Sequence, residues 1–295
     1  MRIMTCNKSV ILLFTFNVGL VNAQNISVPM DLVKWEYKGD HFQCLLNKNV
    51  NKFGQVTFRA EPNNKLVLQV RSYQLPKHYK TARLYKLDSP WEQPEQAVTV
   101  GGEGAWLSAH EFVFNDSIDE LLQAISRGAW MKLSVSSPTQ QDAFTVQLPS
   151  VRITEPLNAF NRCRSALPAM SYEQARDLVL AFDLGQRVAT SDQRASLKQL
   201  AEYIKLDQGV QKVLIDGHTD NVGSSLANLQ ISRVRADDVA SFLEEAGVRA
   251  SIIQVRSHGS RYPVASNASE KGKAKNRRVT IRVIRGGSIT NSKVQ

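Results

Sequence analysis

The chain has 295 residues, of which 42% are hydrophobic, and its formal net charge is +10 at pH 7. This length is enough for two domains that each bury a core of their own. The basic residues form no aromatic-rich patch, which argues against a nucleic-acid partner, and the positive charge favours anionic partners such as cell wall, lipopolysaccharide or an acidic protein.

Residues 1–23 have the features of a cleaved secretory signal. Two cations precede the apolar run VILLFTFNVGLV, and Val21 and Ala23 are small residues at the positions that a signal peptidase reads. A membrane anchor is the alternative, but it needs about 20 apolar residues, and this run is shorter and is broken by Thr15 and Asn17. We therefore expect export with cleavage after Ala23. Loss of the two cations and of no acid lowers the net charge from +10 to +8.

Two cysteines, Cys44 and Cys163, remain after this cleavage. In an oxidising compartment an exported chain with two cysteines can pair them only with each other. Two free buried thiols are the alternative. His41 and Cys44 are spaced like metal ligands, but no second pair follows, so we expect neither a metal nor a cofactor.

Strand patterns dominate from residue 31 to about residue 153. The segments LVKWEY, QVTFRA, KLVLQVRS, MKLSVSS and FTVQLPSVRI alternate or cluster β-branched and aromatic residues between turn-forming stretches. One helix interrupts them, with Ser117 and Glu120 as a predicted capping box and Gly128 as its stop. The pattern predicts a β-rich domain, an antiparallel or barrel-like sheet with a helix.

The periodicity fades between Pro156 and Tyr172, where we place a linker. After it, strands alternate with helices: DLVLAFDL, SDQRASLKQLAEYI, KVLIDGH, SSLANLQISRVRADDVASFLEEAG, IIQVRSHG, a polar loop EKGKAKNRR, and RRVTIRVI. This order predicts a two-layer α/β domain, and the fold class of the whole chain is then α+β.

The second of these helices carries an arginine among apolar residues. At about 100° per residue, Arg235 lies in the middle of the arc that contains Ala236, Val239 and Leu243. Arginine is rarely buried without a partner. Asp220 lies near the start of the same helix, where unpaired backbone N–H groups attract anions. Such a pocket suits a ligand with both an ammonium and a carboxylate, and the alternative is a structural ion pair between Asp220 and Arg235.

The pattern GHTDxxGxxxxNxxxSxxRAxxV in residues 217–239, followed by NRRV at 276–279, resembles the C-terminal domain of the outer-membrane protein A family. The resemblance covers about residues 170–285 and implies a βαβαββ fold that binds peptidoglycan without catalysis. It implies that Asp220 and Arg235 hold a diaminopimelate residue of the stem peptide. The other residues that match the motif of this site are Thr219, Gly223, Asn228 and Arg277. Ile231 and His258 depart from the family pattern, but neither is one of the residues expected to bind the ligand.

The whole arrangement is similar to that of periplasmic proteins of the sodium-driven flagellar motor. This resemblance implies that residues 24–165 associate with the T ring of the basal body, with MotX and ring proteins as partners, and help to fix the stators. It implies that residues 166–295 bind the cell wall. A different envelope tether with the same module is one alternative. A wall hydrolase that uses His218, Asp220 and His258 around a metal, or Ser257, is another, although the chain has no nucleophile elbow and no HExxH pair.

Overall fold

The computed structural model describes residues 22–73, 75–76, 78–89, 91, 97–138 and 142–286. The predicted signal lies outside these residues except for its last two positions, which begin the first strand. The chain divides into two compact units. Of the described residues, the first unit contains those within 22–35, 48–56 and 67–154, and the second contains those within 36–47, 57–66 and 155–286.

Within the described ranges, eleven strands and one α-helix precede residue 150, together with a short 3-10 helix at Met30–Leu32. The strands and the α-helix are β1 (Asn22–Ser27), β2 (Trp35–Gly39), β3 (Cys44–Val50), β4 (Gly54–Glu61), β5 (Lys65–Ser72), β6 (Thr81–Leu87), β7 (Ala97–Val100), β8 (Ala105–Ser108), β9 (Glu111–Phe114), α1 (Ile118–Ser126), β10 (Trp130–Ser136) and β11 (Asp142–Leu148). They form a five-stranded sheet, β1-β11-β10-β6-β7, and a six-stranded sheet, β2-β3-β4-β5-β9-β8. The predicted β-rich region with a helix is therefore confirmed, although β1 pairs with β11 in parallel.

The start of α1 differs from the prediction. Ser117 precedes the helix with φ of 57°, in the left-handed region, and its side chain makes no capping hydrogen bond. A capping serine needs an extended backbone to turn its hydroxyl toward the first-turn N–H groups, so the predicted capping box with Glu120 is wrong. At the other end, Gly128 has φ of +106° and donates its N–H to Ile125, as expected for a glycine that stops a helix.

The segment predicted as a linker is mostly helical, because α2 spans Thr154–Ser165 and buries Leu157 and Phe160. Pro156 lies in its first turn, where a missing N–H breaks no intrahelical bond, so proline does not prevent this helix. The helix also carries Cys163, which forms a disulfide with Cys44 as predicted. A loop of this length can contribute about 4 kcal/mol by restricting the unfolded chain.

The remaining strands and helices form a two-layer domain. They are α3 (Tyr172–Arg176), β12 (Asp177–Ala181), α4 (Ser191–Leu206), β13 (Val210–His218), α5 (Ser225–Glu245), β14 (Ile253–Gly259), α6 (Glu270–Asn276) and β15 (Arg278–Arg285). The four strands lie in the order β12-β15-β13-β14, with β13 parallel to β14 and antiparallel to β15. The predicted strand and helix alternation is confirmed. The prediction of a polar loop at EKGKAKNRR is wrong, because this segment contains α6, whose first turn is capped by the Ser269 side chain.

Helix α5 approaches β13 closely at one glycine. A Cβ added at Gly217 would lie 2.0 Å from the carbonyl oxygen of Ser232, so only glycine fits at this position. One turn further along α5, Ala236, Val239 and Leu243 are buried in the core of this sheet. The close approach fixes the first half of α5 against the ends of β13 and β14.

Candidate functional site

Three buried polar residues, Asn228, Ser232 and Arg235, follow one another along the face of α5 that meets the sheet. The Ser232 hydroxyl accepts a hydrogen bond from the Gly259 N–H at 3.0 Å and donates one to the Leu229 carbonyl at 2.8 Å. Ser232 therefore joins α5 to the end of β14. Asn228, which is 4% exposed, lies one turn closer to the helix start.

Arg235 is buried, with only 3% of its surface exposed, and its guanidinium contacts backbone carbonyls. Nε donates to Gln186 at 2.9 Å, Nη2 to Asp183 at 3.3 Å and Nη1 to His218 at 3.5 Å. These bonds use three of the five N–H donors of a guanidinium. Its charged end also lies 5.1 Å from the Phe182 ring centre. No carboxylate among the described residues forms an ion pair with it.

Asp220 lies beyond the end of β13 and is 4% exposed. Its Oδ2 accepts a hydrogen bond from Arg277 Nη1 at 2.8 Å, and its Oδ1 accepts one from the Val222 N–H at 3.1 Å. Arg277 also donates Nε to the Phe182 carbonyl at 3.2 Å. In the described part of the chain, the ion-pair partner of Asp220 is Arg277, and the structural pair between Asp220 and Arg235 is not formed.

The turn from β13 to α5 is held by Thr219 and Gly223. Thr219 donates its N–H to the Gly259 carbonyl at 2.9 Å and its hydroxyl to the Asp220 carbonyl at 2.8 Å. Gly223 has φ of +91°, a conformation that L side chains rarely adopt. Ser224 then caps α5 by accepting a hydrogen bond from the Ala227 N–H. The turn places Asp220 and the start of α5 beside each other, as the sequence predicts.

The site therefore holds the buried guanidinium of Arg235, the partly buried guanidinium of Arg277 and the buried carboxylate of Asp220. Burial lowers the pKa of Arg235 and the charge of Arg277 lowers it further, while Asp220 raises it. The two lowering causes reflect the cost of burying a positive charge beside another one, and Asp220, which pairs with Arg277, offsets this cost only in part. A ligand carboxylate near Arg235 would supply the missing negative charge, and a ligand ammonium near Asp220 would share that carboxylate with Arg277.

Four of the six predicted wall-binding residues, Thr219, Asp220, Arg235 and Arg277, are connected by these contacts, while Gly223 shapes the turn and Asn228 lies on the same helix face. Sequence reasoning missed the segment after β12, which supplies the carbonyls of Asp183 and Gln186 and the ring of Phe182. Backbone carbonyls carry no residue-type pattern, so no signal in the sequence points to them.

The residues of the hydrolase hypothesis do not form one hydrogen-bonded set. His258 Nε2 lies 2.6 Å from Asp216 Oδ1, whereas Asp220 pairs with Arg277. Burial above all, then the charges of Arg278 and His258, lowers the pKa of His218 to about 4, so this ring is uncharged at neutral pH. Among the described residues, no group of three or more histidines, cysteines and acids could hold a metal ion.

A search of the helices within the described ranges finds none with the length and apolar character needed to cross a bilayer.

Two family models match this chain in succession. Residues 27–168 match the MotY N-terminal domain, and residues 181–277 match the OmpA family. The second match contains all six of the predicted wall-binding residues.

Individual proteins show the same two resemblances. The sodium-type flagellar protein MotY of Vibrio parahaemolyticus is 25% identical over 81% of this chain and 83% of its own length. The peptidoglycan-associated lipoprotein of Buchnera aphidicola is 35% identical over 34% of this chain and 57% of its own length. A crystal structure of the peptidoglycan-associated lipoprotein from Burkholderia pseudomallei aligns with 40% of this chain and 94% of that chain, at 30% identity and a TM-score of 0.35.

Proposed function

We propose that this chain, in which a match to the MotY N-terminal domain is followed by a match to the OmpA family, is a periplasmic, non-catalytic anchor of the flagellar motor. In this proposal the C-terminal domain binds peptidoglycan. A relative of this domain is named a peptidoglycan-associated lipoprotein, which supports the ligand class.

One observation carries the wall-binding proposal: Arg235 is 3% exposed, yet within the described residues its guanidinium contacts carbonyl oxygens and an aromatic face and forms no ion pair with an acid. Burial of an arginine without an acid is costly, and function is a common reason to retain it. We assign the carboxylate of a diaminopimelate residue to Arg235 and the start of α5, and its ammonium to Asp220. Arg277 fixes the Asp220 carboxylate, and Thr219 and Gly223 shape the turn.

The two halves of the chain have separate roles in this proposal. Residues 24–165 associate with the T ring of the basal body, with MotX and ring proteins as partners, and residues 166–295 hold the wall and help to fix sodium-driven stators. The match of residues 27–168 to the MotY N-terminal domain supports the first assignment. Recovery of MotX with the full chain after cross-linking in its own cells tests it, and recovery of other envelope proteins without MotX contradicts it.

The wall site is tested by sedimentation of the exported protein with purified peptidoglycan sacculi. We expect Arg235→Met to abolish sedimentation, because methionine keeps an apolar stem but removes the charge. The matched control is Arg233→Met on the same helix, where the arginine is exposed and pairs with Asp237. Arg233→Met should sediment like the parent protein.

Thermal unfolding of the same variants separates binding from folding. Arg235→Met removes the free-energy cost of burying a charge, and this gain offsets the loss of the hydrogen bonds that the guanidinium makes. The variant should therefore change the free energy of unfolding by no more than about 1 kcal/mol. If this variant fails to fold, Arg235→Lys keeps the charge and should still weaken sedimentation, because lysine lacks the planar fork. Normal sedimentation of a folded Arg235 variant would falsify the wall site, and release of soluble wall fragments by the parent protein would indicate a hydrolase.

A further inference from the structure

The sheet of the C-terminal domain has a second face, on the side away from α5. Side chains alternate along β15, so Val279, Ile281 and Val283 are buried in the core while the residues between them lie on the other side. The register places Thr280 beside Asp216, and Asp216 beside Arg256. These side chains line a cleft of about 740 Å³, which we call the open-face cleft. Its lining includes Val179, Asp216, His218, Tyr262, Lys275 and Arg278.

The charge of the open-face cleft is positive. Four cationic residues and one acid line it. That acid, Asp216, is already engaged: Arg256 donates to both of its oxygens at 2.7 Å, and His258 Nε2 lies 2.6 Å from Oδ1. Arg282 shares the exposed carboxylate of Asp177, at 3.2 Å. Asp216 and Asp177 therefore pair with Arg256 and Arg282. The charges of the other two cations, Arg278 and Lys275, remain available to an anionic partner.

Arg278 provides the strongest single observation. It is 7% exposed, and its guanidinium donates to two backbone carbonyls, Asn276 at 3.3 Å and Tyr262 at 3.2 Å. Within the described ranges no carboxylate forms an ion pair with it. The adjacent His218 is also buried, and its Nδ1 has no hydrogen-bond partner in the described part of the chain. Unpaired groups of this kind are costly unless a ligand satisfies them.

Part of the rim of the open-face cleft is apolar. Val179, Tyr262 and Val264 are 57%, 60% and 62% exposed, and Tyr262 contacts the edge of the His258 ring. A small inorganic anion would neutralise Arg278 but leave this apolar rim and most of the cleft volume in water. A peptide that carries acids next to apolar side chains would match the charge and the rim together.

We propose that the open-face cleft docks an acidic segment of a partner protein, with its carboxylates on Arg278 and Lys275 and an apolar side chain against Val179 and Tyr262. This site is distinct from the proposed wall site. Arg277 turns toward Asp220 and the Phe182 carbonyl, whereas the next residue, Arg278, lines the open-face cleft. One domain can therefore hold the wall and a protein at the same time.

The test is a selection of random seven-residue peptides, displayed on phage, against the full exported protein. We expect enrichment of peptides that combine aspartate or glutamate with aromatic or aliphatic residues. Synthetic forms of these peptides should bind at least fivefold more weakly to Lys275→Glu and to Val179→Glu. The matched control is Lys271→Glu, an exposed lysine on the same helix outside the cleft, which should change binding by less than twofold.

The outcomes separate this proposal from the wall site. Lys275→Glu should sediment with sacculi like the parent protein, and Arg235→Met should still bind the selected peptides. Enrichment of neutral or basic peptides, no enrichment, or binding that is insensitive to Lys275→Glu and Val179→Glu overturns the proposal. Competition by soluble stem peptides, or loss of sacculus binding in Lys275→Glu, assigns the cleft to the wall site and also overturns it.

Discussion

Two buried aspartates on one strand and its following turn, Asp216 and Asp220, have different surroundings. Asp216 is held by Arg256 through two hydrogen bonds, and the Arg256 side chain is 41% exposed. Asp220 receives one hydrogen bond from Arg277, whose side chain is 12% exposed, with the buried Arg235 nearby. The first arrangement is a closed ion pair with one end in water. The second contains one more positive charge than negative charges, and this surplus is what a ligand can use.

The largest effect is expected at Asp220. Asp220→Ala leaves the buried Arg235 and the partly buried Arg277 without any acid in the site, so it should lower the free energy of unfolding by about 3 to 5 kcal/mol and abolish sacculus binding. Urea denaturation measures the first quantity and sedimentation the second. Asp237→Ala, at a half-exposed aspartate on α5, is the control and should alter neither one appreciably. A stable Asp220→Ala protein would show that the two arginines do not need this acid.

The second effect concerns the pH dependence near Asp216. The folded-state pKa of His218 is about 4, and the ordinary value is 6.5, so the unfolded chain binds more protons between these values. Stability is therefore complete above about pH 6.5 and falls by about 2 to 3 kcal/mol as the pH decreases toward 4. His218→Gln should flatten this part of the stability curve, measured by urea denaturation at several pH values. His41→Gln, at an exposed histidine, should leave the slope unchanged.

A smaller effect is expected at Asp216 itself. Burial acts to raise the pKa of Asp216, but the hydrogen bonds from Arg256 and His258 outweigh it and hold this pKa below its usual value. In Asp216→Ala the half-exposed Arg256 can turn to water, so the loss should be about 1 to 2 kcal/mol, less than for Asp220→Ala. Sacculus binding should persist. Equal losses of stability in the two variants would remove the distinction between the two pairs.

The smallest effect is expected on the exposed side of α5. Arg233 and Asp237 form an ion pair between successive turns with side chains that are 56% and 46% exposed. Arg233→Ala should cost less than about 0.5 kcal/mol, because water screens such pairs. A larger loss in thermal unfolding would mean that α5 depends on its exposed face as well as on its buried one.

The sequence alone determined the features that repeat within a short stretch of chain. The 3.6-residue period places Arg235 among the apolar residues of α5, and the alternation of strands and helices fixes the class of the C-terminal domain. The expectation of export, with two cysteines left after cleavage, predicted the disulfide that the structure contains. These inferences succeed because the spacing of side chains along a helix or strand is set by local backbone geometry.

Only the tertiary structure decided which charges meet. Arg277 reaches Asp220 across 57 residues, and Arg256 reaches Asp216 across 40, because β15 and β14 flank β13 in the sheet. The strand register is a property of the packed sheet, and no short segment encodes it. The left-handed backbone at Ser117 and the helix α2 in the predicted linker have the same origin: tertiary packing selects among local conformations of similar free energy.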